Sequence, residues 1–95
     1  MNKYEIMFIV KADISEEEVK KTVSTFENVL TDMGAKITNS KDLGQRKLAY
    51  EIKKQVRGYY HLLNVECGSA AVKEFDRRAR IDEKILRHLI IKEDE

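Results

Sequence analysis

The sequence predicts an α+β fold in which four strands and two helices follow one another in the order β-α-β-β-α-β. Strand-like runs rich in β-branched and aromatic residues alternate with two stretches whose apolar residues recur every three or four positions. Only a short basic segment separates the two middle strands, which favours a hairpin. The length of 95 residues suits a single domain over residues 1–95.

The first strand is predicted over Tyr4–Val10, where both faces are largely apolar. The first helix is predicted to begin at an N-cap Ser15, with Glu18 three residues later in a capping box. Gly34 follows the helix as a residue that tolerates positive φ. One apolar stripe at helical spacing lies between these signals: Val19, Val23, Phe26, Leu30 and Met33.

The second strand is predicted from Ala35 to Lys53, with a bend or bulge near Gly44, and the hairpin turn around residues 55–58. The third strand, residues 58–67, has an apolar face and a mixed face. Tyr60 and Leu62 lie on the mixed face and are large for open water. Contact with a partner and shielding by a neighbouring loop both explain them.

The second helix is predicted over residues 69–80 with Ser69 as N-cap, and the last strand over residues 85–92. Leu86, His88 and Ile90 are expected on one face of that strand, and Ile85, Arg87, Leu89 and Ile91 on the other. We expect His61 and His88 to be structural, and Cys67 to be a small core residue.

The order of elements is typical of the ferredoxin-like fold, a four-stranded antiparallel sheet with two helices on one face. The helices are expected to cover the face that carries Ile6, Phe8 and Val10. The opposite face then lacks a cover from its own chain, and an uncovered apolar face indicates an interaction site. Its residues include Met7, Ile9, Tyr60, Leu62 and Leu89.

Charge is unevenly distributed although the formal net charge is only +1. Residues 13–33 carry a net negative charge, whereas residues 41–60, which include the predicted hairpin, carry a net positive charge. The cations of this second stretch are interleaved with Tyr50, Tyr59 and Tyr60. Cations contact phosphates and aromatic faces stack on bases, so this pattern indicates a nucleic-acid contact. An ordinary hairpin with solvated lysines is the alternative.

No catalytic constellation, phosphate-binding glycine loop or metal-ligand spacing occurs, so we expect no enzyme activity, no metal and no cofactor. Residues 11–13 lack the glycine-rich cradle of a small acyl-phosphate hydrolase. Residues 58–62 only weakly match the base-stacking motif of RNA-recognition modules. A single cysteine and the absence of a secretory or membrane-spanning segment indicate a cytoplasmic protein without a membrane partner. A domain that self-associates through its open sheet face remains an alternative.

Three blocks of sequence resemble the bacterial ribosomal protein S6 family. They are Y-E-I-M-F-I-V near the start, L-G-Q-R-K-L-A-Y-E-I followed by G-Y-Y in the middle, and R-I-D-E-K-I-L-R-H-L-I-I-K near the end. The resemblance covers essentially the whole chain. Leu43 stands where many members have Trp, and Glu51 stands where many have Pro.

The resemblance implies a structural constituent of the small ribosomal subunit that binds the central domain of 16S rRNA together with ribosomal protein S18. It implies a monomer outside the ribosome, or a heterodimer with S18. Position by position, we expect RNA contacts from Lys3, Tyr4, Arg46, Lys47, Lys53, Lys54, Arg87 and Lys92. We expect the protein partner to contact Met7, Ile9, Tyr50, Tyr60 and Leu62.

Overall fold

The computed structural model describes residues 2–93 and confirms the predicted order of elements. The four strands form one antiparallel sheet in the order β2-β3-β1-β4, so β1 and β3 are central. This is the ferredoxin-like fold. The elements are β1 (Asn2–Lys11), α1 (Glu16–Asp32), β2 (Lys36–Ile52), β3 (Gln55–Cys67), α2 (Ser69–Ile81) and β4 (Ile85–Lys92).

The main core lies between the helices and one face of the sheet. Phe8 of β1, Phe26 of α1 and Phe75 of α2 meet there with ring centroids 5.2–5.9 Å apart. Cys67 is fully buried, and burial raises the pKa of its thiol. An un-ionised thiol is a weak nucleophile, so Cys67 is the small core residue that the sequence predicts.

Helix α1 begins as predicted. The backbone N–H of Glu18 donates to Ser15 Oγ at 3.2 Å, which satisfies one of the free donors of the first turn. The predicted stripe is wrong at its last member, because Met33 is the C-cap and 47% exposed. Thr22 and Val29 are buried instead.

Helix α2 begins differently from the prediction. Its N-cap is Gly68, no side chain caps it, and Ser69 is the first helical residue.

Both histidines make side-chain hydrogen bonds between elements. His88 of β4 is hydrogen-bonded to helix α2, with its Nε2 2.7 Å from Asp76 Oδ1. His61 is buried, with its Nε2 2.8 Å from Ser40 Oγ. Both histidines therefore join elements of the fold.

A bulge in β4 changes the predicted alternation at the start of that strand. Ile9 pairs with Arg87 while the next residue, Val10, pairs with Ile85, so Leu86 is the extra residue. Ile85 lies in the main core, whereas Leu86 packs with Ile9 on the opposite side of the sheet. The predicted faces of Ile85 and Leu86 were therefore wrong.

Candidate nucleic-acid interface and open sheet face

The β2–β3 hairpin turns at Lys53 and Lys54, which have φ of 50° and 66°. Ile52 and Gln55 pair across this two-residue turn. Two central residues with positive φ are typical of the type I′ hairpin turn, whose twist matches that of the strands. The predicted turn at residues 55–58 was therefore wrong. The sequence does not reveal the true turn, because lysine is not one of the residues that usually mark a turn.

Gly58, which the sequence suggested as a turn residue, lies inside β3 and is buried. A Cβ on Gly58 would lie 2.3 Å from Ile9 Cγ2 and 3.3 Å from the carbonyl oxygen of Val10. Carbon atoms that are not bonded to each other do not approach as closely as 2.3 Å. The glycine therefore permits close packing between β3 and β1.

The hairpin continues beyond the end of β1, since the last β1–β3 pair joins Lys11 to Gly58. Its β2 arm bends over the open side of the sheet, where Leu48 packs with Ile9 and Leu86 in a second apolar cluster. These three side chains are 6–7% exposed. Ile9 was predicted to lie uncovered for a partner, and this is wrong because the chain's own hairpin covers it.

Two polar contacts join the same hairpin to β4, two strands away in the sheet from β3. Lys53 Nζ donates to the carbonyl oxygen of Ile85 at 3.2 Å. Arg87 Nη1 donates to Tyr50 Oη, and the guanidinium carbon lies 5.8 Å from the centre of the Tyr50 ring. Tyr50, assigned to the partner, thus contacts Arg87, assigned to RNA.

The predicted RNA-contact cations are all exposed. Among residues 2–93, the ion pairs within 4.0 Å include only one of them, Lys3, whose Nζ is 4.0 Å from Glu66 Oε1. On α2, by contrast, the arginines pair with carboxylates of their own helix: Arg77 and Arg78 with Glu74, and Arg80 with Asp76. The positive charge of the hairpin is therefore less compensated than that of α2.

Lys47 of β2 lies directly opposite Arg57 of β3. Like charges at directly opposed positions destabilise a strand pair, so this arrangement concentrates positive charge at a cost in stability. Arg57 was not among the predicted contact residues. The signal that could have revealed it is the hairpin register, which depends on the position of the turn.

A sequence model of the family described as ribosomal protein S6 matches residues 3–92. The chain belongs to the ribosomal protein S6 family. Its structure is similar to the crystal structure of 30S ribosomal protein S6 from Thermotoga maritima, with 29% identity and a TM-score of 0.92. The match covers 97% of this chain and 87% of that chain.

Family membership makes the chain a ribosomal protein of the small subunit, located in the cytoplasmic ribosome, with rRNA as a partner. Members of the S6 family are structural proteins of the ribosome and are not enzymes. Within residues 2–93, no group of three or more His, Cys, Asp or Glu side chains is placed to hold a metal ion. Neither α1 nor α2 is long and apolar enough to cross a membrane.

In this S6-family protein the predicted RNA residues fall into two groups. Four hairpin cations and Arg87 lie toward one end of the sheet, whereas Lys3 and Lys92 lie toward the other. Measured along β1, the level of Arg46 is roughly 26 Å from Lys3, and the level of Arg87 is roughly 20 Å from Lys3. Tyr4 belongs to neither group, since its side chain is packed in the main core and only 8% exposed. A ring so deeply buried offers RNA little surface.

The uncovered part of the sheet is a row across three strands. Met7 of β1 pairs with Leu62 of β3 on one side and with Leu89 of β4 on the other. Leu89 is 51% exposed, while Met7, Leu62 and Tyr60 are half-buried. We call Met7, Leu62 and Leu89 the apolar row.

Proposed function

We propose that this S6-family protein binds the central domain of 16S rRNA through its basic hairpin, together with ribosomal protein S18. It does so as a monomer that pairs with S18 during assembly of the small subunit. The observation that supports this most is the uncompensated charge of the hairpin. Its exposed cations lack a carboxylate within 4.0 Å among residues 2–93: Arg46, Lys47, Lys53, Lys54 and Arg57.

Phosphate contact is the role that such cations fit. A cation already paired with a carboxylate must lose that partner before it neutralises a phosphate, whereas a solvated cation only releases water and counterions. The directly opposed pair Lys47 and Arg57 also supports a phosphate contact. The repulsion between them is relieved when a polyanion lies beside both. Lys3 and Lys92 provide a second contact at the other end of the sheet.

The apolar row is the surface on which S18 docks in this proposal. The row combines half-buried Met7 and Leu62 with exposed Leu89 and adjoins half-buried Tyr60, and an exposed apolar patch of this kind is typical of protein interfaces. Ile9 is left out of this surface because Leu48 covers it. Tyr50 lies outside the apolar row, but its side chain is 58% exposed, and it stays a predicted partner contact. Family resemblance, rather than the shape of the row, identifies S18 as the occupant.

The test is a binding titration with a central-domain fragment of 16S rRNA, with and without S18, at several salt concentrations. We expect tight binding only when S18 is present, with log K falling linearly with log salt. The variants Lys47→Gln and Arg57→Gln should each weaken binding and reduce the salt slope by about one unit. The matched control is Arg77→Gln, which removes one charge from α2.

Each result has a distinct meaning. Tight RNA binding without S18 would contradict the cooperative part of the proposal. An equal loss of affinity in Arg77→Gln would show that only net charge matters, which contradicts a hairpin site. No binding in either mixture, with both proteins folded, would overturn the proposal. A dimer seen by light scattering would then favour self-association through the apolar row.

A further inference from the structure

We infer that the basic hairpin is a preordered RNA-binding arm, and that Leu48 and Tyr50 are the positioning residues that hold its cations in place. The inference rests on the proposed function, since it concerns how the same hairpin reaches RNA. Neither residue needs to touch RNA itself. Their contacts with β1 and β4 fix the direction in which the arm points.

The need for such positioning follows from the topology. Between residues 48 and 57 the hairpin has lost its neighbour β1, whose last pair with β3 is at Gly58. An isolated two-stranded hairpin is marginally stable in water. The arm would therefore fluctuate unless other contacts held it, and every phosphate contact would require ordering of the arm.

The first of these contacts is apolar. Leu48 lies against Ile9 of β1 and Leu86 of β4, and all three are almost fully buried. The bulge in β4 turns Leu86 toward this side of the sheet, and Gly58 lets β3 approach Ile9 closely. Two local irregularities in the sheet thus serve one cluster. The cluster is separate from the main core, which lies on the helix side.

The second set of contacts is polar and lies closer to the turn. Tyr50 Oη accepts a hydrogen bond from the guanidinium of Arg87. Lys53 at the turn donates to the carbonyl oxygen of Ile85. The arm is therefore attached to β4 at three successive levels, at residues 48, 50 and 53. Attachment at three levels restricts both bending and twisting of the arm.

A preordered arm changes affinity without changing the number of phosphate contacts. When the arm is loose, the same cations still reach the same phosphates, but binding must also order the backbone and side chains. The salt slope counts neutralised phosphates and stays the same, whereas the affinity falls. This combination distinguishes a positioning residue from a phosphate-contacting cation.

The experiment compares Leu48→Ala and Tyr50→Phe with the control Val56→Ala, an aliphatic truncation at an exposed hairpin position. Hydrogen exchange of the amides of residues 47–57 reports the order of the arm. Titration of the central-domain rRNA fragment with S18 reports affinity and salt slope. We expect faster exchange in the arm, about tenfold weaker binding for Leu48→Ala and an unchanged slope. Tyr50→Phe should show a smaller effect in the same direction, and Val56→Ala none.

Faster exchange in the arm with unchanged affinity would overturn the inference while the proposed function stands. Unchanged exchange in both variants would also overturn it, whatever the affinity. A wild-type protein that fails to bind the RNA would overturn the proposed function and with it the RNA role of the arm. If Leu48→Ala accelerates exchange throughout the chain, Tyr50→Phe decides the question, because it keeps the ring and the apolar cluster.

Discussion

Gly58 of β3 packs against Ile9 of β1 so closely that a Cβ on Gly58 would lie 2.3 Å from Ile9 Cγ2. Ile9 in turn contacts Leu48 and Leu86, the residues that attach the hairpin to the sheet. The glycine is therefore coupled to the arm through one side chain. The close contact with Ile9 also explains why a glycine occurs inside this strand, where glycine normally weakens the pairing.

Gly58→Ala should lower the free energy of unfolding by roughly 1 to 3 kcal/mol, because the added methyl overpacks the contact with Ile9. Denaturant unfolding measures the change. Ile9→Ala removes the clashing methyl, so the two substitutions should be strongly non-additive in a double-mutant cycle. Additive losses would mean that Gly58 does not meet Ile9, and would contradict the packing described above.

Much of the fold follows from the sequence because helix and strand periodicities differ and the start of α1 has a strong capping signal. The hairpin turn was misplaced for a physical reason. Glycine is the usual marker of a turn, but Gly58 serves close packing, while the turn itself uses Lys53 and Lys54 at positive φ. Register follows from the turn, so the opposition of Lys47 and Arg57 could not be predicted either.

Replacing Lys53-Lys54 by Asn-Gly should make the protein more stable and a weaker RNA binder. A non-glycine residue at positive φ costs about 1 kcal/mol or more, and Asn-Gly adopts the turn with less strain. The gain is partly offset by the lost hydrogen bond from Lys53 to Ile85. We expect a net gain of about 1 kcal/mol in thermal or denaturant unfolding. The salt slope of RNA binding should fall by about two units.

The control for the turn variant is Lys20→Gln combined with Lys21→Gln. Both lysines are exposed on α1, so this pair changes the net charge equally without touching the hairpin. RNA binding should remain at the wild-type level in the control. If the turn variant loses stability, the lost hydrogen bond from Lys53 outweighs the relief of strain at the turn, which contradicts the expected net gain. If both variants weaken RNA binding equally, the turn lysines have no special role.

The site was less predictable than the fold, because contacts between distant strands decide which side chains are available. The mixed face of β3 was correctly assigned, but nothing in the sequence shows that the hairpin bends over the sheet and buries Ile9. The sequence does not reveal the bulge at Leu86 either, because both faces at this end of β4 carry apolar residues and the alternation does not show the extra residue. The cations remain predicted RNA contacts, now with Arg57 added and Tyr4 removed.

Ser15→Ala should lower the free energy of unfolding by about 1 kcal/mol, because it removes the hydrogen bond that the Glu18 backbone N–H donates to Ser15 Oγ. Ser69→Ala is the matched control, since Gly68 and not Ser69 is the N-cap of α2. It should change stability by no more than a few tenths of a kcal/mol. Chemical denaturation of both variants measures the difference. Equal losses would indicate that Ser69 also caps its helix.

Stability should fall as the pH drops below 6.5, because burial lowers the pKa of His61 from that value in the folded chain. Between the two pKa values the unfolded chain binds the proton and the folded chain does not, so acid favours unfolding. Above 6.5 the contribution of the neutral histidine is fully present. Urea unfolding from pH 8 to pH 5 measures the slope, which His61→Gln should flatten. An unchanged slope in that variant would assign the pH dependence to another group.

The carboxylates near His61 give this prediction a second test. Glu27 and Asp42 raise the pKa of His61 and so oppose the effect of burial. Asp42→Asn removes one of these negative charges and keeps the oxygen that accepts from the Gly44 N–H. The pKa of His61 should therefore fall further, as measured by an NMR titration of its ring protons. A rise in the pKa instead would mean that relief of burial outweighs the lost carboxylate, and that His61 is less enclosed than its contacts with Ser40 and Phe8 indicate.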